Sequence, residues 1–273
     1  MKITAQQVNE LRKTTGAGMM DCKKALVETD GDMEKAIDFL RKKGQKVAAK
    51  RADREASEGV VLAKVSDDKK FAAAIMVNCE TDFVAKNQDF IDYVTSLIDL
   101  GIANRAKNAD ELNAMQLGDH SVADSIIEKT GVIGEKIQLG RYESIEAEAV
   151  YGYTHPGNRI ASIAGLNKAG FDTAGHDVVM QIAAMAPVAL NKESVPQEIV
   201  QREIEIGKEQ ARQDNKPEAM LEKIAMGKLN KFFKENTLLN QAFIKDSKKS
   251  IAVYLQEFDK ELTVTGFKRL ALA

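Results

Sequence analysis

Apolar and polar positions change their period along the chain, and the changes divide it. Over residues 1–54 the spacing is helical. Thr4 and Gln7 stand as a capping box, with Val8 and Leu11 on the face that follows. A turn over 14–18 leads to a second predicted helix over about 19–28. Asp30, Gly31 and Asp32 then turn the chain and cap a third helix, with Ala36, Ile37 and Leu40 on its core face and Gly44 at its end. Helices this short enclose a small core of modest stability.

From residue 56 the period changes. Residues 58–65 and 71–77 read as strands joined by a turn over 66–69, and a helix over about 87–100 carries Phe90, Tyr93, Val94 and Leu97 on one face. The same order returns at 148–153 and 159–166, with a turn over 154–158 and a helix over 176–185. This is an internal repeat at a separation of about 90 residues, read as two related α/β subdomains with a shared core. Between the copies, 108–130 is polar and helical, the glycines flanking Val132 and Ile133 predict a tight turn with close backbone approach, and a strand runs to Tyr142. After a break over 187–196, two long helical patterns, 196–213 and 217–235, set Ile199, Val200, Ile204 and Ala211 against Leu221, Ile224, Ala225 and Phe232. This predicts an antiparallel hairpin whose apolar stripe is half covered, which suits self-association as a homodimer. A helix over 250–258 and a strand over 263–270 return to the core.

The fold class expected is therefore α+β: a three-helix bundle, two repeated α/β subdomains with small antiparallel sheets, and an inserted helical hairpin. The boundaries fall at 1–54 for the bundle and its basic linker, 55–147 and 148–187 for the subdomains, 188–235 for the hairpin, and 236–273 for the return.

One stretch stands out, Val77-Asn78-Cys79-Glu80-Thr81-Asp82-Phe83-Val84. Its first half ends a buried strand, so Phe83 lies at a strand-to-helix turn, where a large apolar ring is uncommon. Either the ring folds back onto its own helix as a staple, or it is a probe that fills a pocket on another protein, with Asp82 bringing charge to the same place. The second copy has Asn167-Lys168-Ala169-Gly170-Phe171 there, without Thr-Asp-Phe-Val. A purely structural motif should recur in both copies, so the difference favours function for Asp82 and Phe83. Met19 and Met20 are adjacent, and a helix cannot turn both into one core.

Composition narrows the function classes. Of 273 residues 44% are hydrophobic and 29% charged, with a net charge of -2, which argues against a chain-wide nucleic-acid or membrane surface. Up to residue 54 there are 13 Lys/Arg against 8 Asp/Glu, concentrated in 41–54 at Lys42, Lys43, Lys46, Lys50 and Arg51. No aromatic interleaves these, so a solvated helix or linker competes with an RNA- or ribosome-facing patch. Cys22 and Cys79 alone suit free thiols in a reducing compartment; nothing resembles a signal peptide or membrane span, so the expected location is cytoplasmic. There is no phosphate-cradling Gly-x-x-x-x-Gly-Lys-Ser/Thr loop, and His120, His155 and His176 lack metal-ligand spacing. No enzyme, cofactor or metal is expected. His155, beside Pro156 and Gly157, is the single catalytic option by residue type, and from its context it reads instead as a surface residue or a local hydrogen bonder.

Residues 77–86 resemble the signature of bacterial elongation factor Ts, the family of nucleotide-exchange factors for the GTPase elongation factor Tu. Residues 11–26, Leu-Arg-Lys-Thr-Thr-Gly-Ala-Gly-Met-Met-Asp-Cys-Lys-Lys-Ala-Leu, are similar to that family's N-terminal signature, in the family's order and at a similar separation. The resemblance implies a ubiquitin-associated-type (UBA-like) bundle that packs on the nucleotide-binding domain of Tu through Leu11, Met19 and Met20. It implies that Thr81, Asp82, Phe83 and Val84 wedge beside the Mg²⁺ site of Tu and dislodge the ion. Ile133, Gly134 and His155 would lie on the Tu-facing side, and the hairpin would be a coiled coil used for dimerisation. Exchange of this kind involves no covalent chemistry, no DNA and no membrane. The alternative is an RNA- or ribosome-binding adaptor that uses the basic 41–54 stretch.

Overall fold

A computed structural model describes residues 3–273. In chain order the elements are helices α1 (Ala5–Thr15), α2 (Met19–Glu28) and α3 (Met33–Lys50); strands β1 (Glu58–Val65) and β2 (Phe71–Cys79); helices α4 (Asp82–Ala85), α5 (Gln88–Ala103) and α6 (Ala109–Ala114); the small hairpin of β3 (Gln116–Leu117) and β4 (His120–Ser121); then α7 (Val122–Ile133) and β5 (Gln138–Glu146). There follow β6 (Ala149–Thr154), β7 (Ile160–Leu166), α8 (Asp172–Met185), α9 (Gln197–Gln213), α10 (Glu218–Asn236), paired β8 (Ala242–Phe243) and β9 (Asp246–Ser250), α11 (Ile251–Gln256) and β10 (Val264–Ala271). The chain is thus mixed, with 11 α-helices and small antiparallel sheets among the described residues.

Two three-stranded sheets form the centre, in the orders β1-β2-β5 and β10-β7-β6. Each copy of the repeat supplies a hairpin and a following helix, and a later strand completes its sheet. The middle strand β2 is buried along its whole length, because both its faces have partners. Its alternate residues Phe71, Ala73, Ile75 and Val77 pack with Phe90, Val94 and Leu97 of α5. The others, Ala72, Ala74 and Met76, meet Val150, Ala161 and Ile163 of the second sheet. A period of two thus divides one strand between two cores. The alanines on the second face let the sheets approach closely.

The first three helices enclose a separate core of Leu11, Cys22, Ala25, Leu26 and Ala36. Thr4 and Gln7 cap α1 reciprocally, as their spacing predicts. Gly44 does not close α3; the helix runs on to Lys50, and most of the expected linker is helical. Gly44 is instead where α7 crosses α3. A Cβ added to Gly131 would stand 2.3 Å from the Gly44 Cα, so these two glycines let the backbones touch. The tight turn expected around Val132 and Ile133 is likewise absent. Both lie in the last turn of α7, and Gly134, at φ 82°, is its left-handed cap.

Later in the chain, α9 and α10 pack against each other through Gly207, Ala211, Leu221, Ala225 and Leu229. Ile206, Met220 and Met226 remain exposed on them.

The crossing of α3 and α7 is testable. Gly131→Ala should destabilise the protein by about 1–3 kcal/mol through overpacking, read as a lower urea midpoint. A midpoint equal to that of the wild type would show that the helices do not need this contact.

Candidate functional site

At the end of β2 the chain leaves the sheet in a turn braced from two sides. Thr81 has extended backbone and N-caps the short α4, its hydroxyl accepting from the Val84 N–H. Glu135, in the loop after α7, grips the same residue. One of its oxygens accepts the Thr81 N–H at 3.0 Å and the other accepts the Thr81 hydroxyl at 2.7 Å. Glu80 is held as firmly. The Arg51 guanidinium, just past α3, donates to both its oxygens at 2.7 and 2.9 Å, and the Lys136 N–H donates to it at 2.6 Å. The Lys136 ammonium donates in turn to the carbonyls of Ala52 and Arg54. The Lys136 N–H and the Arg51 charge hold the Glu80 carboxyl below its usual range, although partial burial opposes them.

On this turn Phe83 points outward, 83% exposed. It does not fold back as a staple; Val84 takes the inward position, partly buried against the α5 core. Asp82 pairs with Lys86 one helical turn on, at 2.6 Å, and that ammonium keeps its carboxyl below the ordinary range. Val84 also lines a cleft of about 320 Å³ with Gly16, Phe90, Lys129, Val132 and Ile133. The fold therefore brings Val84 and Ile133 together, and Gly134 ends α7 immediately before the gripping Glu135. In the second copy the aromatic goes the other way. Phe171 is partly buried against the second core, edge-on to Phe258 with ring centroids 6.4 Å apart.

The other candidates are dispersed. Met19 and Met20 open α2 and are 52% and 75% exposed, so neither belongs to the bundle core. Leu11 requires a correction: it is fully buried in that core and offers no surface to a partner. Its helical period put it on the apolar face, and three helices close over that face. His155 is exposed on the β6–β7 turn, its Nδ1 2.9 Å from the Tyr153 hydroxyl, and no hydrogen bond links it to the Thr81 turn. Sequence reasoning missed Glu135 and Lys136, and it read Arg51 only as part of the basic stretch, not as the partner of Glu80. Glu135 stands 54 residues from its partner, and an acid after a turn glycine gives no sign of what it will hold.

Among the described residues no group of three His, Cys, Asp or Glu is placed to hold a metal ion, and no helix is long and apolar enough to cross a membrane. Fold and site have the form of a protein that presents a braced apolar and acidic tip on a small α+β core. The comparisons agree on the family. A family model described as "Elongation factor TS" matches residues 80–273. The chain is 54% identical over 273 residues to the "Elongation factor Ts" of Christiangramia forsetii, covering 99% of each chain. It is 50% identical over 272 residues to that of Flavobacterium psychrophilum, covering 99% of this chain and 98% of the relative. For that of Porphyromonas gingivalis the identity is 49% over 273 residues, with 100% and 99% covered. The chain belongs to the elongation factor Ts family.

Two measurements test the bracing. Glu135→Ala should speed hydrogen exchange at the Val84 and Ala85 amides about tenfold, the equivalent of one lost cap, with the global melting temperature little changed; unaltered exchange would release Glu135 from the role. Acid should loosen the Glu80 clamp. Its folded-state pKa is depressed, so its contribution is complete above the unfolded value, about 4.3, and is lost as pH falls through the lower folded one. Glu80→Gln should therefore lower the urea midpoint at pH 7 and narrow its difference from the wild type below about pH 4. A constant difference across that range would rule out the ionised clamp.

Proposed function

We propose that the chain is a guanine-nucleotide exchange factor for elongation factor Tu in translation elongation. The observation that carries this reading is Phe83, held outward beside an ionised acid by a turn that two carboxylates fix. Membership of the family supplies the partner. A factor that hastens GDP release must bind the empty GTPase more tightly than its GDP-bound form, and linkage makes the weakening mutual. Asp82 and Phe83 act as the wedge: they enter beside the Mg²⁺ of Tu, and loss of the ion removes a bridge to the GDP β-phosphate. Thr81 and Val84 hold the wedge from within, Thr81 through Glu135 and Val84 through its cleft with Ile133. No covalent step is needed.

We read the three-helix bundle as UBA-like, with Met19 and Met20 as its contact with the nucleotide-binding domain of Tu. Methionines at such a surface adapt to a partner's shape. His155 and the Ile133–Gly134 side add further contacts. The exposed Ile206, Met220 and Met226 of the helical hairpin support its use as a dimerising coiled coil.

The magnitudes limit the wedge. Burying one phenylalanine contributes about 1.5–3 kcal/mol, which at about 1.4 kcal/mol per decade is one to two decades of coupling. Phe83→Ala should slow the release of a fluorescent GDP from Tu by about that factor. Because the ring packs on nothing of its own, the same substitution should leave the urea midpoint within about 0.5 kcal/mol of the wild type. Release and complex affinity both unchanged would remove Phe83 from the mechanism.

A further inference from the structure

The lysines of the N-terminal bundle are not spread evenly over its surface. Between α2 and α3 lies a cleft of about 290 Å³ lined by Asp21, Lys24, Phe39, Lys42, Lys43 and Lys46. Phe39, Lys42 and Lys46 follow one another on a single face of α3, and Lys24 reaches in from α2. Asp21 forms an ion pair with Lys43. Lys24, Lys42 and Lys46 are exposed, and none has a carboxylate oxygen within 4.0 Å among the described residues. Phe39 is half-buried, packed on the bundle core and also forming part of the cleft wall. In sequence it precedes the basic stretch, which is why that stretch reads as free of aromatics. The helix carries it into the middle of the charges.

We propose that this cleft binds a single-stranded polynucleotide, without regard to sequence, its lysines taking backbone phosphates and Phe39 taking the face of a base. Three uncompensated ammonium groups around one concavity repel each other, and an anion threaded between them relieves that repulsion. Phosphodiesters suit them, since an ammonium is a point charge that donates to a phosphate oxygen from many directions. Acidic polypeptide is matched better by the planar fork of arginine, and this cleft has none. The half-buried ring decides between single and double strands. Stacking needs an open base face, and a duplex hides its faces. The site lies on the bundle, and its test needs no other protein.

The experiment is fluorescence anisotropy of the full chain with a labelled oligouridylate and with an oligothymidylate of equal length, across a salt series. Three phosphate contacts on a single strand give a slope of log affinity against log salt of about -2. The double substitution Lys42→Gln, Lys46→Gln should weaken binding more than tenfold and flatten the slope to about -0.7. Phe39→Leu, with folding verified by its thermal melt, should leave the slope and weaken binding about tenfold. Binding of either oligonucleotide with this dependence supports the proposal, and the two arms tell whether the sugar matters. The proposal is overturned by absence of saturable binding to both, by binding indifferent to the lysine pair or to Phe39, or by polyglutamate competing as well as the oligonucleotide at equal charge.

Discussion

Glu135 closes both of its oxygens on one residue, Thr81, and the exposed tip of this protein follows from that grip. A phenylalanine on an unsupported turn would sample many directions and would cover itself on the nearest apolar surface. Here the nearest such surface is already taken, since Val84 fills the inward position beside Phe90 and Ile133. With Thr81 fixed and Val84 seated, the geometry of a single helical turn leaves Phe83 no inward course. The backbone that carries the ring is fixed before any contact, and less backbone entropy remains to be lost on contact. The second copy shows the same fold without this device. It lacks the Thr-Asp-Phe-Val run, and Phe171 rests partly buried near Phe258. The difference between the copies lies in which way one aromatic turns.

The grip extends beyond the turn. Glu80 is bound to Arg51, at the end of α3, and α3 crosses α7 where Gly44 meets Gly131. The loop after α7 carries Glu135 and Lys136, which return to Thr81, Glu80 and the chain just past α3. The contacts close a ring from the bundle through α3 and α7 to the turn. Its one ion pair, Arg51 with Glu80, and its hydrogen bonds are partly exposed and weak alone. Shared partners and a backbone-on-backbone helix crossing make them a frame.

What the sequence makes legible and what it conceals divide along contact range. The apolar run of β2, the return of its pattern in β7 and the prolines before α9 and α10 are local, and the elements they predict are present with bounds close to those expected. Gly44 was misjudged because a glycine that ends a helix and a glycine that admits a neighbour look the same in one dimension; at Gly131 the expected close backbone approach is present without the tight turn. Leu11 was misplaced for a related reason. An apolar residue in a signature stretch is as consistent with a core as with a surface, and only the packing of α2 and α3 over it decides. Glu135 left no local trace at all. Phe83 was legible as an anomaly, an aromatic where a turn should be polar, and anomalies of residue type survive where partnerships do not.

The same frame bears on how the proposed exchange would divide its work. One aromatic ring supplies at most one to two decades of coupling, so in the proposed exchange a larger effect requires the bundle surface at Met19 and Met20, and the side that carries Ile133 and His155, to act with it. Two contacts on one partner reinforce each other only when the distance between them is set in advance; if the joint between them yields, the partner satisfies each in turn and nothing is displaced. A long helix pinned at Gly44 and tied at Arg51 is such a joint. Its stiffness, more than the area of either contact, determines whether binding energy gained at the bundle is delivered at the tip.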